Sequence, residues 1–207
     1  MALSQEQFSS QLLQNAVEEF SSLPGVGRRS ALRFALHLLK LPQENVERLG
    51  RAIVDFRSKV RYCSRCNMIS DTDTCPICSS PRRNRELICV VESIRDVMSI
   101  ENTAIYNGLY HVLGGIISPM DGIGPSDLPI ESLLERVKSE GVKEVILALS
   151  TSMEGETTAF YLYRKLEPLG VKITGIARGV GFGDDLEYTD QLTLGRSIEN
   201  RQPFKPN

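Results

Sequence analysis

RELICVVESIRDVMSIENTAIYNGLYHVL, residues 85–113, is where the rhythm of the chain changes. Residues 87–92 form an apolar, β-branched run that predicts a strand, 93–102 predict an amphipathic helix, and 109–113 predict a second strand. The alternation continues downstream, with helices predicted over 130–140 and 155–169 and strands over 145–150 and 171–176. Apolar runs separated by amphipathic helices predict a parallel sheet covered on both faces and joined by right-handed crossovers. The stretch 114–129, rich in Gly, Pro and Asp, is long enough to predict function or mobility, and a last helix is predicted over 189–200.

Upstream of this region the pattern is helical. Ser4 followed by Gln7 forms a capping box, after which Phe8, Leu12, Leu13, Ala16, Val17 and Phe20 recur at helical spacing up to Leu23-Pro24-Gly25. A second helix carries Ala31, Phe34, Ala35 and Leu38 on one stripe and ends before Pro42. A third, from Gln43 to about Arg61, is predicted to bury Val46, Leu49, Ile53, Phe56 and Val60. No internal repeat is present.

The 207 residues are enough to bury a substantial core. Residues 1–90 carry 13 Lys/Arg against 9 Asp/Glu, and residues 91–207 carry 11 against 17, so the halves have formal charges of +4 and −6. This asymmetry directs the search for a nucleic-acid contact to the first half. No stretch approaches the roughly 18 apolar residues of a membrane span, and MALSQEQFSS lacks a signal-peptide pattern, which predicts a cytoplasmic protein.

Residues 63–78, CSRCNMISDTDTCPIC, hold two Cys-x-x-Cys pairs eight residues apart. In a reducing compartment Cys63, Cys66, Cys75 and Cys78 are better explained by a metal than by disulfides. Each pair can aim two thiolates at one ion, so the spacing suits a tetrahedral zinc. A redox dithiol, the competing reading, needs one reactive pair, whereas here two converge. Four thiolates leave no open position for water, which makes the expected zinc structural. Cys89, inside LICVVE, is read as a small core residue.

Leu23-Pro24-Gly25-Val26-Gly27-Arg28-Arg29, between two amphipathic helices, has the form of the hairpin in a helix-hairpin-helix motif. Its glycines let backbone N–H groups and the next helix N-terminus approach a phosphate, and Arg29 and Arg33 lie on one helical face. Gly25, Gly27, Arg28, Arg29 and Arg33 are the candidate DNA-binding residues; an ordinary Gly-Pro connection is the alternative. Glu92 ends the first predicted strand, Asp96 lies one helical turn later, and Glu154 and Glu156 follow the third strand. Such carboxylates at strand ends suit Mg²⁺, and equally suit solvent and the dipole of a helix N-terminus. His37 reads as a half-buried helix residue and His111 as a satisfied core one. Neither sits beside a nucleophile motif, and no ATP-binding phosphate loop is present.

In order along the chain stand Leu-Pro-Gly-Val-Gly, four cysteines, Val-Val-Glu opening the α/β region, Glu-Gly-Glu-x-Thr-Ala, and Asp-Leu-Glu-Tyr-Thr-Asp. This set resembles the bacterial RecR recombination-mediator family over essentially the full length. The resemblance implies an α/β multidomain protein: a helix-hairpin-helix region over 1–61, a four-cysteine zinc finger over 62–84, a Toprim domain over 85–177, and a Walker-B-like segment with oligomer contacts over 178–207. It implies a non-enzymatic mediator in DNA repair, associated with the nucleoid, that forms a ring-like oligomer, typically a tetramer. Such a ring encircles single- or double-stranded DNA and works with RecO-type and RecF-type proteins to load recombinase. On this resemblance the cysteines match zinc ligands, Arg29 and Arg33 match DNA-contacting positions, and Glu92, Asp96, Glu154 and Glu156 match acidic Toprim positions expected to face a basic partner.

Two stretches depart from the family pattern, Ser150-Thr151-Ser152-Met153 and Gly181-Phe182-Gly183, each lacking the usual proline. A Mg²⁺-dependent Toprim enzyme, whether nuclease, primase or topoisomerase-like, is the alternative; the Asp-x-Asp pair that such chemistry generally uses is replaced here by Glu154-Gly155-Glu156. Mg²⁺ is therefore possible but not expected to be required. A stand-alone zinc-ribbon adaptor leaves the long α/β region unexplained.

Overall fold

The computed structural model describes residues 10–181 and 183–203, which divide into two compact units on either side of the Val60–Arg61 bond. The capping pattern expected at Ser4 and Gln7, Phe8 beside it, and Phe182 lie outside the described residues.

In the first unit, α1 (Gln11–Ser21) starts at Ser10, whose hydroxyl accepts the Leu13 N–H at 3.3 Å. Helix α2 (Arg28–Leu38) packs against it through Val17, Ala31 and Ala35, flanked by Leu13, Ala16, Phe20, Val26 and Leu32. Alanines on α2 let the two backbones come close, and Phe20 meets Phe34 edge to face at 6.0 Å. Helix α3 (Gln43–Lys59) has Glu44 in its first turn and Arg57 and Lys59 in its last, in line with its dipole. The burial expected along α3 is not found: it has no buried residue, and Leu49, Ile53 and Phe56 are 45–60 % exposed. Periodicity identifies the apolar face of a helix, but burial needs an opposing surface, and the described residues of this chain supply none there.

The second unit opens with a two-stranded antiparallel ribbon, β1 (Arg61–Tyr62) and β2 (Ile69–Ser70), and a single helical turn, α4 (Pro76–Ser79). There follow β3 (Asn84–Val91), α5 (Ile94–Asn102), β4 (Gly108–Val112), α6 (Ile130–Ser139), β5 (Glu144–Ala148), α7 (Met153–Leu166), β6 (Lys172–Gly175) and α8 (Gln191–Glu199). The four long strands form the expected parallel sheet, in the order β4-β3-β5-β6, with Ile88 opposite both Leu109 and Val145. Period-two alternation sends Ile88 and Val90 to one face, against Leu133, Val137, Leu162 and Leu166 of α6 and α7. It sends Cys89 and Val91 to the other face, with Val97 and Ile100 of α5 and with Met68 and Ile77 of the cysteine segment. The cysteine segment therefore covers part of the sheet, a tertiary role that its polar sequence does not announce.

Candidate metal centre and nucleic-acid interface

The four cysteines converge from two turns. Cys63 follows β1 and Cys66 lies in the turn before β2, where Asn67 adopts a left-handed φ of 59° and closes back through its N–H to the Cys63 carbonyl at 3.0 Å. Cys75 caps α4 and Cys78 lies within it. Ser64 ties the turns together, its N–H and hydroxyl both reaching Asp73, at 2.9 and 2.8 Å. All four cysteines are buried, and their Sγ atoms lie within 4.8 Å of one another, Cys66 and Cys75 at 3.5 Å. A tetrahedral zinc with Zn–S near 2.3 Å sets its sulfurs about 3.8 Å apart, so the arrangement fits the ion. Backbone N–H groups of Cys75 and Cys78 point at the Cys63 and Cys75 sulfurs, at 3.3 and 3.5 Å. Hydrogen bonds from Cys66 and Cys78 pull the Cys75 thiol down, while its bond to Cys75 drives Cys66 upward. Four sulfurs this close share negative charge unevenly until a divalent cation takes the place of the protons. The centre is a structural zinc site.

This centre is bonded to the sheet. The Cys66 carbonyl accepts the Val112 N–H at 2.8 Å, and Arg65 pairs with Glu140 at 2.8 Å. Glu140 also faces Arg136, whose buried guanidinium donates to the Tyr110 carbonyl at 2.9 Å and lies 3.4 Å from His111 Nδ1. His111 Nε2 lies 2.8 Å from the Pro129 carbonyl, an acceptor only, so Nε2 carries the proton and Nδ1 accepts. His111 is fully buried and its pKa is lowered to about 4, by burial first and by Arg136 in addition.

In the hairpin, Gly25 holds a φ of +78°, which closes the turn between α1 and α2, and the Val26 N–H donates to the Leu23 carbonyl at 3.0 Å. Gly27 is the N-cap of α2 and offers no side-chain cap, and the first turn contains no acid. A helix start without an acid of its own suits an approaching phosphate. Arg29 and Arg33 are exposed, and both line an open groove on α2.

The acidic residues are only partly brought together. Glu92 and Glu154 line one small cavity with Ser118 and Asp121 from the long loop. Asp96 instead completes a capping box, accepting the Ser93 N–H and hydroxyl at 2.7 and 2.9 Å, and Glu156 pairs with Arg178. Among the described residues, the four cysteines are the only group of three or more potential ligands placed close enough to share an ion. Sequence reasoning missed Asp121 and Arg178. The length of the 114–129 loop was the available signal for the first, and none existed for the second. The loop is anchored, its Ile117 N–H donating to buried Thr158 at 2.9 Å.

At the departure before Glu154, Ser152 caps α7 by accepting the Gly155 N–H at 3.1 Å. A Cβ at Gly155 presses well inside van der Waals distance of the Ser150 carbonyl oxygen. Gly155→Ala is expected to destabilise the protein by about 1–3 kcal/mol, the usual cost of overpacking. A lower midpoint at constant slope in urea denaturation checks this.

A helical hairpin unit joined to an α/β unit that carries a four-cysteine centre defines a class of multidomain zinc-finger, Toprim-containing proteins. Family models match a RecR helix-hairpin-helix over 13–57, a RecR four-cysteine zinc finger domain over 60–80, a Toprim domain over 86–177 and a RecR C-terminal region over 179–202. The chain is 59% identical over 199 residues to a protein named Recombination protein RecR from Porphyromonas gingivalis, covering 96% of both chains. Proteins of the same name from Bacteroides thetaiotaomicron and Flavobacterium johnsoniae are 60% and 54% identical, each across 96% of this chain and 97% of the relative. The chain belongs to the RecR family of recombination proteins. Among the described residues no helix is long and apolar enough to cross a membrane.

Proposed function

We propose that this protein is a non-enzymatic DNA-binding mediator of recombinational repair. It assembles as a ring-like oligomer, a tetramer on the family's pattern, and acts with RecO-type and RecF-type partners in loading recombinase on single-stranded DNA. The observation that carries this reading is the hairpin. A glycine-capped helix start, free of acids, stands beside exposed Arg29 and Arg33, while the acidic cavity of Glu92 and Glu154 lies in the other unit. A few phosphate contacts per subunit are weak alone, and a ring multiplies them by raising effective concentration. On this proposal residues 1–61 bind DNA, 62–84 hold the zinc, 85–177 dock a basic partner through Glu92 and Glu154, and 178–207 contribute to assembly. The Asp96 cap and the Glu156–Arg178 pair remove two carboxylates from any Mg²⁺ site, which supports docking over catalysis.

The Arg29→Ala, Arg33→Ala double variant is expected to bind DNA at least tenfold more weakly and to show a flatter dependence on salt, by about 0.9 per lost phosphate contact on duplex. Binding isotherms across salt, with melting curves to confirm folding, check this; unchanged isotherms remove the hairpin from the mechanism. Labelled DNA incubated with Mg²⁺ is expected to yield complexes and no product. Product formation abolished by Glu92→Ala establishes the enzyme reading instead.

A further inference from the structure

We propose that the DNA contact extends beyond Arg29 and Arg33 along the whole of α2, through His37 to Lys40, as one stripe that follows the phosphates of a single strand. The inference rests on the reading of the α1–α2 hairpin as DNA-binding and adds to it a second half of the contact.

The stripe is visible in the groove on α2, about 400 Å³ in volume and lined by Arg29, Leu32, Arg33, Leu36, His37 and Lys40, with no acidic residue among them. Arg29, Arg33 and His37 stand at successive intervals of four, so they lie one above another on one helical face. Beyond the last helical residue the chain keeps turning: Leu39 and Lys40 donate backbone N–H groups to the Ala35 and His37 carbonyls at 3.3 and 3.0 Å. Lys40 thus stays over the helix end instead of leaving with the loop. Arg29, Arg33, His37 and Lys40 are all exposed.

Two of the four basic residues of α3 are paired within that helix. On α3, Arg51 pairs with Glu47 at 3.2 Å and Lys59 with Asp55 at 3.0 Å. Among the described residues, Arg29, Arg33 and Lys40 have no carboxylate within ion-pair distance, and Arg33 instead lies 5.6 Å from the centre of the Phe34 ring. Leu32 and Leu36 line the same groove and give it apolar surface beside the basic residues. An array of unneutralised donors on one face attracts a polyanion, and its length fits one. At 1.5 Å per residue, Arg29 to His37 spans about 12 Å, and a strand of duplex places a phosphate about every 3.4 Å along the axis. Because the strand winds around that axis, its phosphates stand farther apart along the backbone, and the stripe runs beside more than one of them. Arg29 takes the first, and His37 and Lys40 take the last. Contacts of this kind fix the position of the backbone and carry no base preference.

The test compares the full-length protein with His37→Gln, Lys40→Gln and their double variant, using a fluorescent single strand and a duplex of equal length over a salt series. The double variant is expected to retain its melting temperature and oligomeric state. Its salt slope should fall by about 0.9 per lost contact and bound subunit on duplex, and by about 0.7 on the single strand. Lys40→Arg is expected to keep the original slope. The Arg29→Ala, Arg33→Ala variant runs alongside. If it weakens binding while His37→Gln and Lys40→Gln leave the slope unchanged, the extended stripe is overturned and the hairpin contact stands; if neither changes the slope, both fall. Loss of oligomer with an unchanged slope per subunit assigns His37 and Lys40 to a protein contact and likewise overturns the proposal.

Discussion

Cys66→Ser is expected to release the zinc and lower the melting temperature by more than about 10 °C. A structural zinc contributes on the order of 10 kcal/mol to the fold it closes, and in a chain of this size each kcal/mol corresponds to about 2–4 °C. The loss falls on the α/β unit. Met68 and Ile77 pack on the cysteines and on the sheet face formed by Cys89, Val91, Tyr110 and Val112, and the Cys66 carbonyl holds the Val112 N–H. Zinc stoichiometry and calorimetry on the same preparation check this; a variant with full zinc content and an unshifted transition contradicts a structural role. The position of the cysteines between the helical region and the sheet suggests that they stiffen the N-terminal half, and the tertiary contacts correct that expectation. The finger belongs with the sheet, on the far side of the Val60–Arg61 division.

Acidification is expected to cost about 3 kcal/mol of stability through His111 alone. Its pKa is lowered from 6.5 to about 4 in the folded state, so below pH 6.5 the unfolded chain binds a proton that the folded chain refuses. The corresponding stabilisation is complete above pH 6.5 and is lost as pH falls through about 4, with 1.36 kcal/mol for each pKa unit. The cause is local. Protonation at Nδ1 places an imidazolium in a closed core 3.4 Å from the Arg136 guanidinium, whose carboxylate partner Glu140 is shared with Arg65. Zinc thiolates also take up protons in acid, so the measurement is a difference: unfolding free energy against pH for the protein and for His111→Gln. The variant is expected to show the shallower fall between pH 6.5 and 4. Parallel curves contradict the assignment.

The three sites were not equally legible. The zinc centre could be read because its ligands are local: sixteen consecutive residues contain both Cys-x-x-Cys turns, and a turn of that length has little choice about where its sulfurs point. The hairpin was legible for the same reason, since Gly25 and Gly27 fix the turn and the helix start within a few residues. The acidic cluster was not. Glu92, Asp96, Glu154 and Glu156 share one end of a sheet in any parallel α/β order, yet what each does depends on its nearest donor. Asp96 found the Ser93 N–H, Glu156 found Arg178, and Asp121 entered from a loop whose path no periodicity describes.

What the sequence by itself determined is the set of elements and their order. Period-two and helical apolar patterns reflect which face of a segment avoids water, and that preference acts residue by residue. The predicted helices and the parallel sheet accordingly appear, with end shifts of up to three residues, except that α1 is capped at Ser10 where the sequence pattern places the cap at Ser4. What only the tertiary structure decided is which surfaces meet. The finger lies on the sheet, His111 is sealed against Arg136, and the apolar face of α3 finds no partner among the described residues of this chain. An amphipathic pattern states that a face prefers burial; the identity of the covering surface is a long-range property, fixed by packing between segments far apart in the chain.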